Sequence, residues 1–180
     1  MSDSPSPSDV VTFWREAGPG KWFARDAAFD AEIKARFEGL HMAAARRELD
    51  GWMAEAEGAL ALMILLDQFP RNMYRACAHA FASDPLARFL ARRAIDAGFD
   101  QQVDPQMRYF FYLPFEHSEH LGDQELAVEL TAHDAEQQKW AVIHRDIIQR
   151  FGRFPHRNPC LGRQTTPDEQ AFLDGGGFAG

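Results

Sequence analysis

Apolar residues in this chain recur mostly at spacings of three and four, with almost no strand-like alternation. Phe29, Ile33, Phe37, Leu40 and Ala44 form one such stripe, the signature of an amphipathic helix. It predicts a helix from near Asp26 to the break at Asp50-Gly51. Before it, Val10, Val11, Phe13 and Trp14 predict a short helix capped by Asp9 and ended by Gly18-Pro19-Gly20. A third helix is expected from Met53 to Gln68. Its stretch from Ala59 to Leu66 is apolar on all sides, as befits the central buried helix. Phe69-Pro70 is expected to stop it, because proline disfavours a helical residue before it.

Ser83-Asp84-Pro85 reads as a helix start, with Leu86, Phe89, Leu90 and Ile95 as its buried stripe and Gly98 at its end. Asp104-Pro105 predicts another helix, carrying Met107, Tyr109, Phe110, Phe111, Tyr112 and Phe115 and kinked or ended by Pro114. Beyond Gly122-Asp123 the pattern gives one long or two shorter helices to about Phe151, with a break at Thr131 to Asp134. Gly152 ends the last of these, and Thr166-Pro167-Asp168-Glu169 opens a short terminal helix. The sum is an all-α fold of about seven or eight helices in a single domain over residues 10–174, for which a stack of helix hairpins is a natural architecture. The Ser/Pro-rich residues 1–9 are expected to be disordered and the Gly-rich residues 175–180 to form a flexible tail.

Composition narrows the function classes. A net charge of -8 opposes nucleic acid as a partner, since phosphate contacts need a basic face. The longest apolar run is far too short to span a bilayer, so no membrane partner is expected. The N-terminal residues carry neither a basic region nor an apolar segment, which points away from a secretory signal and towards the cytoplasm. Cys77 and Cys160 have no metal-like spacing and read as ordinary thiols. Sixteen arginines stand against three lysines, a bias we attribute to genome composition ahead of guanidinium recognition.

Against the acidic background, residues 144–158 pack four arginines, two histidines and an asparagine with one acid, Asp146. On a helix ending at Phe151, His144 shares a face with Ala141, Ile148 and Phe151 and turns towards the protein. Arg153, His156, Arg157 and Asn158 lie beyond the helix end in a loop stiffened by Pro155. These residue types suit a small anionic ligand: arginines grip a carboxylate or phosphate, and an imidazole exchanges a proton. They equally suit helix capping and loop fastening.

Two further groups stand out. Asp67-Gln68-Phe69-Pro70-Arg71-Asn72 puts a carboxylate at the end of a buried helix, where it must find a partner in Arg71 or in the arginines at 150–157. It reads either as ion-pair glue or as a general base. Pro114-Phe115-Glu116-His117-Ser118-Glu119-His120 holds two carboxylates and two imidazoles in seven residues. The ligand set is incomplete for a metal, and neither a metal nor another cofactor is expected. His41, His79 and His133 read as surface or satisfied core residues.

These motifs resemble a known family. Leu65-Leu66-Asp67-Gln68-Phe69-Pro70-Arg71-Asn72, Ala80-Phe81-Ala82-Ser83-Asp84, Pro114-Phe115-Glu116-His117-Ser118-Glu119, the run from His144 to Asn158, and Leu161-Gly162-Arg163 with Thr166-Pro167 are similar to those of the bacterial domain of unknown function 924 family. The resemblance reaches from Val11-Thr12-Phe13-Trp14 to Phe172-Leu173. It implies an all-α, tetratricopeptide-like superhelix and no particular activity.

The expectation is therefore a small anionic ligand in a polar cleft shared by the three motifs. His144, His156, Asp67 and Glu116 would carry proton chemistry. Arg71, Asn72, His117, Arg153, Arg157 and Asn158 would bind. The alternative is a tetratricopeptide-like module that takes a peptide or partner helix in its groove, with the polar motifs purely structural. The sequence leaves substrate, reaction and oligomeric state open.

Overall fold

A computed structural model describes residues 5–180, and all regular structure among them is helical. Of residues 1–9, expected to be disordered, residues 1–4 lie outside the described residues, whereas Pro7 to Asp9 open a helix. Those described form two compact units, one running through Arg75 and then from His79 to Pro114, the other made of Ala76–Ala78 and Phe115–Gly180.

In the first unit, α1 (Pro7–Ala17) begins earlier than its apolar stripe suggests. Ser6 is the N-cap, and Asp9 is its capping-box partner, accepting from the Ser6 amide at 2.7 Å and the Ser6 hydroxyl at 2.6 Å. After α2 (Pro19–Trp22), α3 (Ala27–Ala45) starts near Asp26 as expected, with the Asp26 carboxylate accepting from the amides of Ala28 and Phe29, but it ends at Ala45, before the expected break at Asp50-Gly51. Phe29, Ile33, Phe37 and Ala44 bury the predicted stripe. The core is aromatic: Trp14 lies 6.0 Å from Phe29 and 5.5 Å from Phe69, and its carbonyl accepts from the Trp22 indole at 2.6 Å. A 3₁₀ turn (Asp50–Ala54) leads into α4 (Ala56–Met63). Gly58 is required there, since a Cβ would stand 2.1 Å from the Trp52 carbonyl oxygen.

The expected stop at Phe69-Pro70 does not occur. Instead α4 runs into a π-helical turn (Ile64–Gln68) and on through α5 (Phe69–Met73). The Phe69 amide reaches back five residues to the Ile64 carbonyl, which shifts the register by one. Two carbonyls thereby lose their helical donors, and side chains from elsewhere in the unit replace them. His41 Nδ1 meets the Leu65 carbonyl at 2.9 Å. The Leu66 carbonyl, whose donor would have been the amide hydrogen that Pro70 lacks, accepts from the Ser83 hydroxyl at 2.6 Å. The helix passes its proline because the fold supplies both missing donors.

α6 (Asp84–Asp96) starts at Ser83-Asp84-Pro85 and ends before Gly98 at φ +71 as expected, although the Ser83 hydroxyl serves Leu66 and not the helix start. The long helix expected after Asp104-Pro105 is absent. A 3₁₀ turn (Arg108–Phe111) precedes the four-residue α7 (Leu113–Glu116), with Pro114 in its first turn. Every residue from Phe110 to Glu116 is buried, so no solvent-facing stripe favours one continuous helix. Pro114 would also leave such a helix a donor short.

The second unit pairs α8 (Leu121–Leu130) with α9 (Ala135–Phe151). The predicted break lies between them. Asp134 caps α9 through the amides of Glu136 and Gln137, and Gly152 ends it at φ +69. A 3₁₀ turn (Pro155–Arg157) follows, and α10 (Pro167–Asp174) opens with a capping box between Thr166 and Glu169. Ile147, Ile148 and Phe154 form the core of this part, with Ile143, Phe151, Phe172 and Phe178 packed against it. Helices of eight residues or more among those described are α1, α3, α4, α6, α8, α9 and α10. None is long and apolar enough to cross a membrane.

Candidate functional site

The polar motifs divide between the units. Asp67, Arg71 and Asn72 belong to the first and are engaged there. Asp67 is fully buried on the π turn and accepts from the Gln68 amide nitrogen at 2.5 Å. Arg71 Nη1 lies 3.4 Å from the Asp67 carboxylate, and the guanidinium forks onto Asp84 at 3.0 and 2.9 Å. Burial disfavours the charge on Arg71, and the two carboxylates more than offset that, so its pKa is raised. Asn72 donates to Asp30 at 2.8 Å. One guanidinium between two buried acids has its donors committed to the fold. Asp67 and Arg71 thus belong to an interior ion-pair network, which ties the π turn to the start of α6.

Glu116, His117, His144, Arg153, His156, Arg157 and Asn158 lie in the second unit. The pattern on α9 turns His144 inwards as expected; its side chain is 8% exposed. Its Nδ1 faces two acceptors, the Trp140 carbonyl at 2.8 Å and Glu116 Oε1 at 3.1 Å. Two acceptors on one nitrogen place the proton on Nδ1, which makes Nε2 the basic nitrogen of the neutral ring. Glu116 ends α7 with its side chain 3% exposed, so the carboxylate that orients the imidazole is also out of water.

Around this pair the other rings converge on Phe154. His144 stands 5.5 Å from it edge-on, His156 at 5.6 Å, and the Arg157 guanidinium lies 4.4 Å above its face. The His117 ring is 6.4 Å from that of His144. Burial, then the neighbouring charge of Arg157 and the proximity of His144, depress the His156 pKa to about 3. The Nδ1 of His156 is buried with no hydrogen-bond partner among the described residues. This corner therefore combines a neutral imidazole, a carboxylate-oriented imidazole and a buried guanidinium. Among the described residues no group of three His, Cys, Asp or Glu is placed to hold a metal ion.

Arg153 and Asn158 fasten the loop instead. Arg153 pairs bidentately with Glu169 at 2.5 and 2.8 Å, and its Nη2 also reaches the Gln164 carbonyl. Asn158 is fully buried between Arg163, which donates to its Oδ1 at 2.9 Å, and Glu169, which accepts from its Nδ2 at 3.2 Å. Both residues thus hold residues 163–169 against the turn after α9. Sequence reasoning missed the residues that hold the loop. Burial pushes the Glu119 carboxyl up, but the forked contact from Arg163 and the amide of Phe154 outweigh it and keep its pKa low. Glu169 is held at about 2, first by the Arg153 hydrogen bond. The Thr166-x-x-Glu169 spacing was the available signal for Glu169, and Arg163 stood in the family-like Leu161-Gly162-Arg163 motif without a partner assigned to it. An open depression of about 520 Å³ beside Arg153 and Arg163 is lined also by residues 164–167, and both guanidiniums at its edge are matched by these carboxylates.

The residues expected to form a flexible tail lie against the imidazoles. Phe178 packs edge-to-face on His144 at 4.5 Å and on His156 at 5.3 Å, with Trp140 at 6.4 Å. The Gly176 and Gly177 amides bond back to the Leu173 and Phe172 carbonyls, and among the described residues no backbone–backbone hydrogen bond holds Phe178, Ala179 or Gly180. Full burial of a phenylalanine is worth about 1.5–3 kcal/mol, and this ring is only partly buried. Ordering each backbone residue costs about 1–2 kcal/mol. The hold of this segment on the site is therefore marginal.

Comparisons with known proteins agree on what the chain resembles. The family model described as bacterial protein of unknown function (DUF924) matches residues 10–177. A solved protein of unknown function from Agrobacterium tumefaciens superposes with a TM-score of 0.92 at 54% identity, covering 94% of this chain and 97% of that one. Comparison with curated proteins gives no match.

Proposed function

The chain belongs to the DUF924 family of bacterial proteins of unknown function, and from that premise we propose that its second unit binds a small anion and exchanges a proton with it through His144. The observation that carries this reading is the Glu116 carboxylate 3.1 Å from Nδ1 of a buried His144. A carboxylate behind an imidazole fixes the ring's orientation and tautomer and stabilises the imidazolium formed when Nε2 takes a proton. Arg157 supplies positive charge beside the ring cluster, and His117 and His156 supply further polar groups to an anionic oxygen. A small carboxylate or phosphate fits this set, since its charge is met by a guanidinium and its proton by an imidazole.

Relative to the sequence-based expectation, the candidate set narrows to Glu116, His117, His144, His156 and Arg157. Asp67, Arg71, Asn72, Arg153 and Asn158 take anchoring roles. The test is histidine side-chain NMR of the whole protein titrated with acetate, phosphate and sulfate. Saturable shifts of the His144 and His156 signals at millimolar anion, weakened in Arg157→Gln, are expected. Unchanged imidazole signals with every anion would remove the proposal.

A further inference from the structure

The anion reading leaves the apolar face of the same corner unexplained. That face is the seat of the Phe178 ring, which packs against the rings of His144, His156 and Trp140 and on the core of Ile147, Ile148 and Phe154. Both imidazoles meet Phe178 near edge-on, at 63° and 81° to its plane. This is the geometry in which a flat apolar ring is favourably packed. Gly180 also lies against His156, so close that a Cβ there would come within 3.0 Å of the ring. Three glycines, Gly175 to Gly177, precede Phe178, and Gly176 sits at φ +81. Such a segment swings freely once the ring lets go. Beyond Gly177 side-chain packing keeps it seated, with no backbone–backbone hydrogen bond among the described residues.

We propose that the Phe178 slot is a ligand subsite for a planar apolar group, occupied by the protein's own phenyl ring until a ligand displaces it. Resting on the anion reading above, this narrows the ligand class to a small carboxylate carrying an aromatic ring. The ring takes the place of Phe178 between His144 and His156, and the carboxylate meets the Arg157 and imidazole side. Residues 175–180 then act as a displaceable cover. A competing internal occupant lowers the apparent affinity by the fraction of time the slot is open.

The test compares acetate with phenylacetate by calorimetry on the wild-type chain and on Phe178→Ala and Phe178→Leu, with thermal melting to establish that each variant is folded. Phenylacetate is expected to bind the wild type more tightly than acetate. Phe178→Ala should raise phenylacetate affinity about tenfold while leaving acetate within about twofold, because only the ring competes for the slot. Phe178→Leu should fall between. Equal affinity for the two anions, or weaker phenylacetate binding in Phe178→Ala, would overturn the aromatic subsite and leave the anion site standing. No heat with either anion in any of the three proteins would instead sink the anion reading, and this inference with it.

Discussion

The Ser83 hydroxyl donates at 2.6 Å to the carbonyl of Leu66, four residues before Pro70. This contact makes the proline tolerable in the middle of a helical run, because it fills the place of the amide hydrogen that proline lacks. Ser83→Ala should cost about 1–3 kcal/mol of unfolding free energy, the range for a buried acceptor left without a donor. Pro70→Ala restores a backbone donor to Leu66. In urea denaturation the double variant should therefore lose clearly less than the sum of the two single losses. Strict additivity would mean that the two groups do not serve the same carbonyl.

Arg71 answers two buried carboxylates at once, Asp67 and Asp84. Arg71→Met should therefore destabilise the protein by about 3–5 kcal/mol, since removing one partner strands the others out of water. The exposed pair of Arg46 and Glu48 is the internal control, and Arg46→Ala should change stability far less, because water screens that pair. Equal effects in chemical denaturation would remove the structural role assigned to Arg71.

Acid should weaken the fold in two overlapping steps. His156 has a depressed pKa of about 3 against an ordinary value of 6.5. The unfolded chain takes up a proton there first, so stability is lost as pH falls from 6.5 towards 3. Glu169 has a depressed pKa of about 2 against 4.5, so its contribution, present above pH 4.5, is lost as pH falls from there towards 2. In urea midpoints measured against pH, His156→Gln should flatten the upper step and Glu169→Gln the lower. A His156→Gln profile that parallels the wild type between pH 6.5 and 4.5 would contradict the first assignment.

Glu116 and the Trp140 carbonyl together place the His144 proton on Nδ1. Long-range proton–nitrogen NMR spectra of the neutral ring should show Nδ1 protonated and Nε2 bare. A dominant Nε2–H form would deprive the site of its proposed base.

Much of the fold was legible in the chain. The stripe from Phe29 to Ala44, the caps at Asp26 and Asp134, the Gly98 and Gly152 ends and the Thr166 start are set by residues within a few positions of one another, and all appear where the pattern puts them. So does the inward turn of His144, which follows from helical period alone. The failures lie at prolines. Pro70 sits inside a helix because Ser83 and His41 donate to the carbonyls left short there, and the run expected as one helix breaks at Pro114, which has no amide hydrogen to continue it.

The functional motifs divide in the same way. Sequence identified Asp67, Arg71, Glu116, His144, Arg153, His156 and Arg157 as the polar groups of interest, because charged and imidazole side chains clustered at helix ends in an acidic, apolar chain must be paired or used. It could not apportion them, since pairing depends on which carboxylate lies within a few ångströms. Tertiary structure alone gave Arg71 to Asp67 and Asp84, Arg153 to Glu169, and Arg163 to Glu119. It left Glu116 behind His144 and set Phe178 over the imidazoles. By itself the sequence determined most of the helices and which polar groups stand at their ends, which are local properties. Partner choice was decided by folding, because electrostatic and hydrogen-bond energies depend on distance and burial, and residues far apart along the chain meet only in the folded protein.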